Sequence, residues 1–292
     1  MKKALAEIFA GIIPHKMTRN RWRGILRFGL TNIPKLKKEI KRQADVAPIY
    51  NLAICAIAKD EGDYFAEWIE WHRKMGVDKF YIYDNESSDK TREVLQPYIE
   101  SGLVDYTYFP GRKKQLSSYD DCLRRHRFEC RWIAFIDIDE FIVPVKDKTV
   151  ADFLLRFQDA PAVEINWLIY GSNGQEKKSN FPVMKRFTRH SQPDHYLNRH
   201  VKSIVNPRRV YNMIGCHEAA RINGKALDSN GDVIRRHFRD RIPQQEVIRI
   251  NHYAVKSKEE FVEKQNRGRA AGKTLFISES YFLKFDLNDL PD

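Results

Sequence analysis

Apolar and polar positions along the first half of the chain follow two periodicities in turn, and this pattern predicts strands that alternate with helices. Short apolar runs typical of buried strands occupy residues 51–58, 79–83, 103–109 and 132–137. Between these runs, apolar residues recur at helical spacing over 64–75, about 90–99 and 115–130. Strands that alternate with helices form βαβ units around a parallel sheet, so the expected fold class is α/β.

The second half is less regular and predicts a smaller, mixed region. A capping box at Thr149–Asp152 opens a short helix through Phe157, and Ser257 caps a basic helix that runs to Arg269. Strands are expected at 162–170, 201–205, 210–214 and 248–255, with antiparallel pairing as one option for the middle two, and a loop at 228–241. We divide the chain into an N-terminal arm (1–47), a main domain (48–275) and a C-terminal tail (276–292).

Acidic and amide side chains follow three of the four strands in the first half. They lie in the segments Lys59-Asp60-Glu61, Asp84-Asn85 and Asp137-Ile138-Asp139-Glu140. The carboxyl ends of parallel strands meet at one edge of a sheet, so these groups should gather there. Buried carboxylates repel one another unless a cation neutralises them, and oxygen ligands favour Mg²⁺ or Mn²⁺.

The sequence therefore predicts a site where a divalent metal meets a phosphorylated substrate. If the fourth strand continues, Asp137 and Asp139 share one of its faces. The alternative is a strand that ends in an ordinary acidic loop.

The positive charge is concentrated at the N-terminus. Residues 1–50 carry a net +9 of the chain's +12, and apolar and aromatic residues are interleaved with the cations there. Such a segment suits the surface of an anionic bilayer, although a helical arm that packs on the domain or on a second subunit fits equally well. No run approaches the ~20 apolar residues that span a membrane. The four cysteines form no zinc or disulfide pattern, which favours a reducing compartment.

Two other classes of protein are disfavoured. A nucleic-acid-binding protein would carry its basic residues along a face of the folded core, whereas here the strand ends are acidic. A phosphohydrolase with an Asp-x-Asp nucleophile needs its motif near the N-terminus with Thr at the fifth place, where this chain has Phe141.

Several ordered motifs resemble the glycosyltransferases of family 92 and their bacterial relatives in the broad family-2 group. They are AKDEGDYFAEWIEWHRKMGVDKFYIYDNESSD, FIDIDEF, KSIVNP and HYAVKSKEEFVEKQNRGRA, and they span roughly residues 50–270. The resemblance implies a GT-A fold, which has a Rossmann-like, mostly parallel sheet with helices on both faces and a smaller mixed sheet on the acceptor side. It also implies a UDP-sugar donor, Mn²⁺ or Mg²⁺ held through a DxD motif, and inverting transfer of galactose or a similar hexose.

The resemblance further implies a glycan or lipid-linked glycan acceptor. It points to bacterial surface polysaccharide or lipopolysaccharide synthesis, in the cytoplasm or on the inner face of the cytoplasmic membrane. No nucleic-acid partner is expected, because the strand ends are acidic. The alternative hypothesis is that this protein is an inactive member of the same group, which binds sugar nucleotide without turnover.

The same resemblance assigns roles to individual residues. The metal ligands are Asp137, Asp139 and His252. The donor-binding residues are Ala58, Lys59, Glu61, Asp84, Asn85, Asp137, Lys264, Arg267 and Arg269. Asp60 stands where the family has Asn, which leaves the role of that position open.

An inverting transfer needs a base that takes the proton of the acceptor hydroxyl. Glu218 and Glu164 are alternative candidates, with Asp194 as a weaker third. Trp167 and Tyr170 are candidate acceptor contacts because aromatic faces stack on sugar rings, although a place in the core fits Trp167 equally well. Lys202 faces the donor or the acceptor in this scheme.

Overall fold

A nine-stranded sheet runs through the part of the chain that the computed structural model describes, residues 16–267 and 278–292. The helices are α1 (Lys16–Phe28), α2 (Asn32–Arg42), α3 (Gly62–Lys74), α4 (Thr91–Glu100), α5 (Gln115–His126), α6 (Val150–Leu154), α7 (Val183–Arg186), α8 (Lys258–Arg267) and α9 (Glu279–Phe285). The strands are β1 (Tyr50–Ala58), β2 (Lys79–Asp84), β3 (Val104–Tyr108), β4 (Cys130–Phe135), β5 (Glu140–Pro144), β6 (Ala162–Ile169), β7 (Arg189–His190), β8 (Val201–Val205), β9 (Val210–Met213), β10 (Ala219–Arg221), β11 (Leu227–Asp228), β12 (Ile248–His252) and β13 (Leu290–Pro291).

The first half forms the predicted parallel sheet, in the order β3-β2-β1-β4. Ala58, the last residue of β1, pairs with Asp84, the last residue of β2. The chain after β1 therefore lies beside the chain after β2, as expected for neighbouring parallel strands. The α/β fold class predicted from the sequence is confirmed.

The second half extends the same sheet with mixed pairing. Strand β8 is antiparallel to both β4 and β6, and β9 is antiparallel to β10, so the antiparallel option is confirmed for both segments. Strand β12 is parallel to β6. Strand β5 closes the edge antiparallel to β12. The 210–214 segment forms β9, which pairs with β10 in a separate hairpin. The 228–241 stretch is mostly irregular, with one short 3₁₀ turn at Phe238–Asp240.

Several predicted boundaries were wrong, among them that of the strand expected at 248–255, which ends at His252. Helix α5 ends at His126, so Cys130 belongs to β4 and is not helical. Strand β4 ends at Phe135, and the chain turns through 136–139 into β5, with the Glu140 N–H donating to the carbonyl of Asp137 at 3.1 Å. Asp137 and Asp139 therefore lie on a turn and do not share a strand face.

Apolar layers cover both faces of the sheet and fix the position of β5. On the α3 side, Trp68 is fully buried and its indole N–H donates to the carbonyl of Glu140 at 2.8 Å. Trp71, one turn further along α3, donates to the carbonyl of Ile142 at 3.0 Å. These two bonds hold the strand that follows the acidic turn against a rigid helix.

Both terminal segments pack on the main domain. Ile25 of α1 and Leu36 of α2 are buried against Tyr211 and Ala220 of the β9–β10 hairpin. These two helices therefore form an arm that packs on the domain, which is the alternative given in the sequence analysis. Residues 1–15 of the predicted membrane contact lie outside the described residues.

The predicted C-terminal tail is part of the domain over 278–292. Phe282 and Phe285 of α9 are buried in the main core, and β13 pairs with β7. A Cβ atom on Gly171 would lie 2.3 Å from Oδ1 of Asn288, so only glycine allows this close approach.

Candidate functional site

The acidic turn after β4 meets the end of β12. Because β5 and β12 are antiparallel and in register, His252 pairs with Glu140 and comes next to Asp139. Nε2 of His252 lies 3.8 Å from Oδ2 of Asp139, and Nζ of Lys264 from α8 lies 2.7 Å from the same oxygen. Three segments that are far apart in sequence thus converge on one carboxylate.

The charge of Asp139 is stabilised by these neighbours. Burial alone would raise its pKa, but the Lys264 ammonium and the His252 ring outweigh burial and hold the pKa of Asp139 well below its usual range. Burial lowers the pKa of His252, so its ring is neutral at pH 7, as a metal ligand must be.

A second lysine pairs with Asp137 and contacts Glu140, whose pKa burial raises well above its usual range. Lys202 is buried in β8, and its Nζ lies 2.7 Å from Oδ2 of Asp137 and 3.3 Å from Oε2 of Glu140. Burial alone would lower the pKa of Lys202, but these carboxylates raise it well above its usual value, so the side chain remains charged. Gln115 of α5 also donates to Oδ1 of Asp137, at 3.0 Å.

Two of the three predicted metal ligands come together. Asp139 and His252 are close enough for one divalent cation to contact both, and their oxygen and imidazole donors suit Mn²⁺. Nδ1 of His252 is buried without a hydrogen-bond partner among the described residues. Asp137 is instead engaged with Lys202, and the described ranges contain no cluster of three His, Cys, Asp or Glu side chains that could hold a metal. The chain's donors fit a cation that takes its remaining ligands from a substrate.

The residues after β1 and β2 shape the neighbouring loops. Asp60 has a φ of +51°, and its carboxylate accepts the N–H of Ser88 at 2.6 Å. The left-handed region accommodates both Asp and Asn, so Asp60 in place of the Asn that the resemblance implies preserves the backbone. Asp84 accepts the Ser87 N–H at 2.9 Å, and the Asn85 amide donates to two carbonyls of the 109–111 loop.

The two predicted donor-binding cations of α8 that are described line one cleft. Besides Asp139, Lys264 contacts the carbonyl of Ala254 at 2.7 Å. Arg267 donates to the carbonyl of Asp60 at 2.6 Å and to the carboxylate of Glu61. The cleft has a volume of about 450 Å³, and its lining includes Lys264 and Arg267 of α8, Tyr64 of α3 and several carboxylates, among them those of Asp63 and Glu260. Ala58 is buried at the end of β1, Lys59 is partly exposed, and Arg269 lies outside the described residues.

Glu218 belongs to the turn between β9 and β10, which is anchored beside the acids. In this turn, the carbonyl of His217 accepts from the Ser203 hydroxyl at 2.5 Å, and Nδ1 of His217 lies 2.6 Å from the carbonyl of Val201. Both anchors flank Lys202, the residue that binds Asp137. The ring of His217 also packs on Trp167, which in turn packs on His252.

The other candidates occupy different environments. Glu164 is fully enclosed in β6 and paired with Arg241, an arrangement typical of a structural ion pair. Tyr170 is fully buried against Tyr253 and has no face for a sugar, so the predicted stacking role was wrong. Trp167 is 8% exposed, with its ring packed on His200 and His252. Asp194 is exposed in a loop.

Sequence reasoning missed two contributions to this site. Gln115 fixes Asp137, and Lys256 lines the cleft beside Lys264. Lys202, whose role was left open, holds two acids at once. A lysine inside the predicted strand VKSIV was the available signal, because a lysine is rarely buried without an acidic partner.

The described residues contain no helix that is long and apolar enough to cross a membrane. All four cysteines are free thiols.

Among solved structures, the chain is similar to TarS 1–349 of S. aureus in complex with UDP. The two are 14% identical with a TM-score of 0.37, over 54% of this chain and 47% of that one. Glucosyl-3-phosphoglycerate synthase of Mycobacterium tuberculosis, in complex with Mn²⁺ and UDP, is 16% identical with a TM-score of 0.27, over 44% of this chain and 46% of that one.

Among curated proteins, a family 92 glycosyltransferase of rice (Oryza sativa subsp. japonica) is 31% identical over 60% of this chain and 29% of its own length. The β-1,4-galactosyltransferase galt-1 of Caenorhabditis elegans is 27% identical over 66% of this chain and 49% of its own. This chain thus matches at most about half of either relative. The sequence profile of glycosyltransferase family 92 matches residues 51–275, which is most of the chain. The motifs and the matched span agree, and the chain belongs to glycosyltransferase family 92.

Proposed function

We propose that this glycosyltransferase transfers a hexose, galactose or a close relative, from a UDP-sugar to a glycan acceptor with inversion, and that it requires a divalent cation. One observation carries the proposal: Asp139 lies between the His252 ring and the Lys264 ammonium, beside a cleft that Arg267 also lines. Carboxylate, imidazole and paired cations suit a metal–diphosphate complex.

The donor side stabilises the leaving group. A divalent cation held by Asp139 and His252 would supply charge to a nucleoside diphosphate as the glycosidic bond breaks. Lys264 and Arg267 donate N–H groups toward the same cleft, and preorganised donors of this kind lower the barrier where negative charge develops. Glu61 and the carbonyl of Asp60 orient the Arg267 guanidinium in advance.

Glu218 acts as the general base on the acceptor side. Its carboxylate lies 4.0 Å from Nε2 of His237, and its backbone is fixed through the anchored turn at His217. In a single inverting displacement, Glu218 takes the acceptor hydroxyl proton while that oxygen attacks the anomeric carbon and the diphosphate leaves. Glu164 is less suited, because its side chain is only 2% exposed whereas that of Glu218 is 13% exposed.

The sugar and the acceptor are inferred from relatives. Galt-1 is named a β-1,4-galactosyltransferase, and GALS3 of Arabidopsis thaliana, 37% identical over 28% of this chain, is named a galactan β-1,4-galactosyltransferase. These names support galactose as the first donor sugar to test. A setting in bacterial surface polysaccharide or lipopolysaccharide synthesis stays a prediction.

Thermal unfolding with UDP, GDP and CMP, each with and without Mn²⁺, tests the donor class. A ligand at ~100 times its dissociation constant adds about 2.7 kcal/mol of stability. We expect a raised Tm only with UDP and Mn²⁺ together, followed by hydrolysis of UDP-galactose in a UDP-sugar panel. No shift with any nucleotide would contradict the proposal, and binding without turnover would favour an inactive relative.

Asp139→Ala tests the site itself. We expect this variant to remain folded and to lose both turnover and metal-dependent UDP binding, because it removes a metal ligand. Asp159→Ala is the matched control, since the Asp159 side chain is 97% exposed and does not line the cleft. Full activity in Asp139→Ala would refute the assignment.

We also propose that the N-terminal helices contact an anionic membrane surface. Their buried faces already pack on the domain, but Trp22 and Leu30 are exposed, as are the lysines at 35, 37 and 38. Cations beside exposed apolar groups suit a peripheral location on the inner face of the membrane.

Co-sedimentation with vesicles that contain phosphatidylserine tests this contact. Replacement of the lysines at 35, 37 and 38 by Gln should reduce binding, whereas the same change at the exposed lysines 74, 146 and 148 should not. Equal binding by both triple variants would contradict the proposed membrane surface.

A further inference from the structure

Lys256 stands apart from the other cations of the cleft. It lies between the end of β12 and the start of α8, it is 5% exposed, and it lines the cleft with Lys264 and Arg267. Lys264 is paired with Asp139 and Arg267 with Glu61, but no acidic side chain of the described residues forms an ion pair with Lys256. Its ammonium lies 3.9 Å from the centroid of the Tyr64 ring.

This arrangement is unfavourable for the ligand-free protein. A buried cation without a carboxylate partner costs free energy, and one aromatic face offsets only part of that cost. Burial lowers the pKa of Lys256, and the more distant charges of Glu61 and Asp139 oppose this effect only in part. The backbone of Lys256 also has a φ of +58°, in the left-handed region that residues other than glycine seldom occupy.

A network of buried polar groups imposes this position. Ser257 caps α8, and its N–H and hydroxyl donate to the carboxylate of Glu260 at 3.1 and 2.6 Å. Glu260 also accepts two N–H groups of Arg186 and the hydroxyl of Tyr64, the residue whose ring lies under the ammonium. Both the loop and the ring below Lys256 are therefore held in place before any ligand arrives.

We propose that Lys256 is a third phosphate-binding cation, which contacts the diphosphate of the sugar-nucleotide donor directly. The assignment rests on the proposed function, because it takes the cleft as the donor site. An arriving diphosphate supplies the negatively charged partner that Lys256 lacks. Lys264 and Arg267, by contrast, already have partners in Asp139 and Glu61 and must divide their positive charge between these and the diphosphate. The strain and the unpaired charge of the ligand-free state are thus offset only when the donor binds.

Binding of UDP and of uridine to the full chain with Mn²⁺, measured by calorimetry, tests the proposal. Lys256→Met should weaken UDP binding on the order of 10- to 100-fold, because a charged hydrogen bond is lost, and should leave uridine binding unchanged. Lys256→Arg should recover part of the affinity. Lys258→Met is the control, since Lys258 lies two residues away and pairs with Glu279 on the surface.

Unfolding of the ligand-free variants separates this role from a structural one. Lys256→Met removes an unpaired buried charge, so we expect its Tm to equal or exceed that of the wild type. A lower Tm together with unchanged UDP affinity would mean that Lys256 serves only to pack on Tyr64, and would overturn the proposal. If the wild type binds UDP and the variant binds it equally well, only the assignment of Lys256 fails. If the wild type binds no UDP, the proposed function fails with it.

Discussion

Lys264 occupies the place on Asp139 that a metal ion would need, and its removal gives a sharp prediction. The ammonium lies 2.7 Å from the carboxylate, and the two side chains are only 16% and 10% exposed. In the ligand-free protein this lysine supplies the positive charge that a divalent cation supplies in the proposed donor complex. Lys264→Met should therefore destabilise the ligand-free protein and open Asp139 to metal.

The size of both effects follows from burial. Breaking a buried ion pair by removing one partner costs about 3–5 kcal/mol. The lower end applies here, because both side chains retain some contact with water and His252 remains beside Asp139. A loss of about 3 kcal/mol lowers the Tm of a chain of 292 residues by about 5 °C. Mn²⁺ at ~100 times its dissociation constant restores about 2.7 kcal/mol, which is most of that loss.

Thermal unfolding with and without Mn²⁺, in the absence of nucleotide, is the assay. We expect Mn²⁺ to raise the Tm of Lys264→Met by about 4–5 °C and to leave the wild type nearly unchanged, because Lys264 competes for Asp139. Lys258→Met, on the same helix, should lose under about 1 kcal/mol and show no response to metal. An equal response to Mn²⁺ in wild type and Lys264→Met would refute the competition between lysine and metal.

Three further predictions concern other parts of the molecule. Glu218→Gln should lower kcat by at least about 100-fold with unchanged UDP affinity, as steady-state kinetics and calorimetry would show. Glu164→Gln should chiefly lower the Tm. A large loss of kcat in Glu164→Gln but not in Glu218→Gln would make Glu164 the base. Burial raises the pKa of Glu260, but hydrogen bonds from Arg186 and Ser257 outweigh it and lower the pKa to about 2. The pKa of Glu260 in the folded protein thus lies below its unfolded value, so its ionisation contributes about 3 kcal/mol to the free energy of unfolding above about pH 4.5, and this stabilisation is lost as the pH falls toward 2. Glu260→Gln should therefore flatten the curve of Tm against pH between these values. An unchanged curve would contradict the role assigned to Glu260. Leu36→Ala should destabilise the packing of α2 by about 2–3 kcal/mol, seen as faster proteolysis within 16–42, and equal cleavage rates would mean that Leu36 does not hold the arm.

Local pattern determined the elements of the parallel half. The sequence alone shows the apolar runs of β1 and β2 and the helical spacing of apolar residues in α3. Parallel pairing of the two strands then places Asp84 at the same edge of the sheet as Asp60. The N-cap at Ser257 was also predictable, because serine is a preferred N-cap residue and two glutamates follow it in the first turn. The α/β fold class and the acidic edge therefore followed from sequence alone.

Only the tertiary structure decided how the acids are neutralised. The sequence predicted a cation for Asp137, Asp139 and Glu140, but Lys202 and Lys264 come from segments about 60 and 125 residues further on and arrive through strand order and helix docking. The buried state of Tyr170 and the docking of α9 depend likewise on contacts across the fold. Periodicity reports which face of an element is apolar, whereas the partner of a charged group depends on which distant segment packs there. Lys256 is the clearest case: nothing in its local sequence distinguishes it from Lys258, and only the folded chain leaves it buried without an acid.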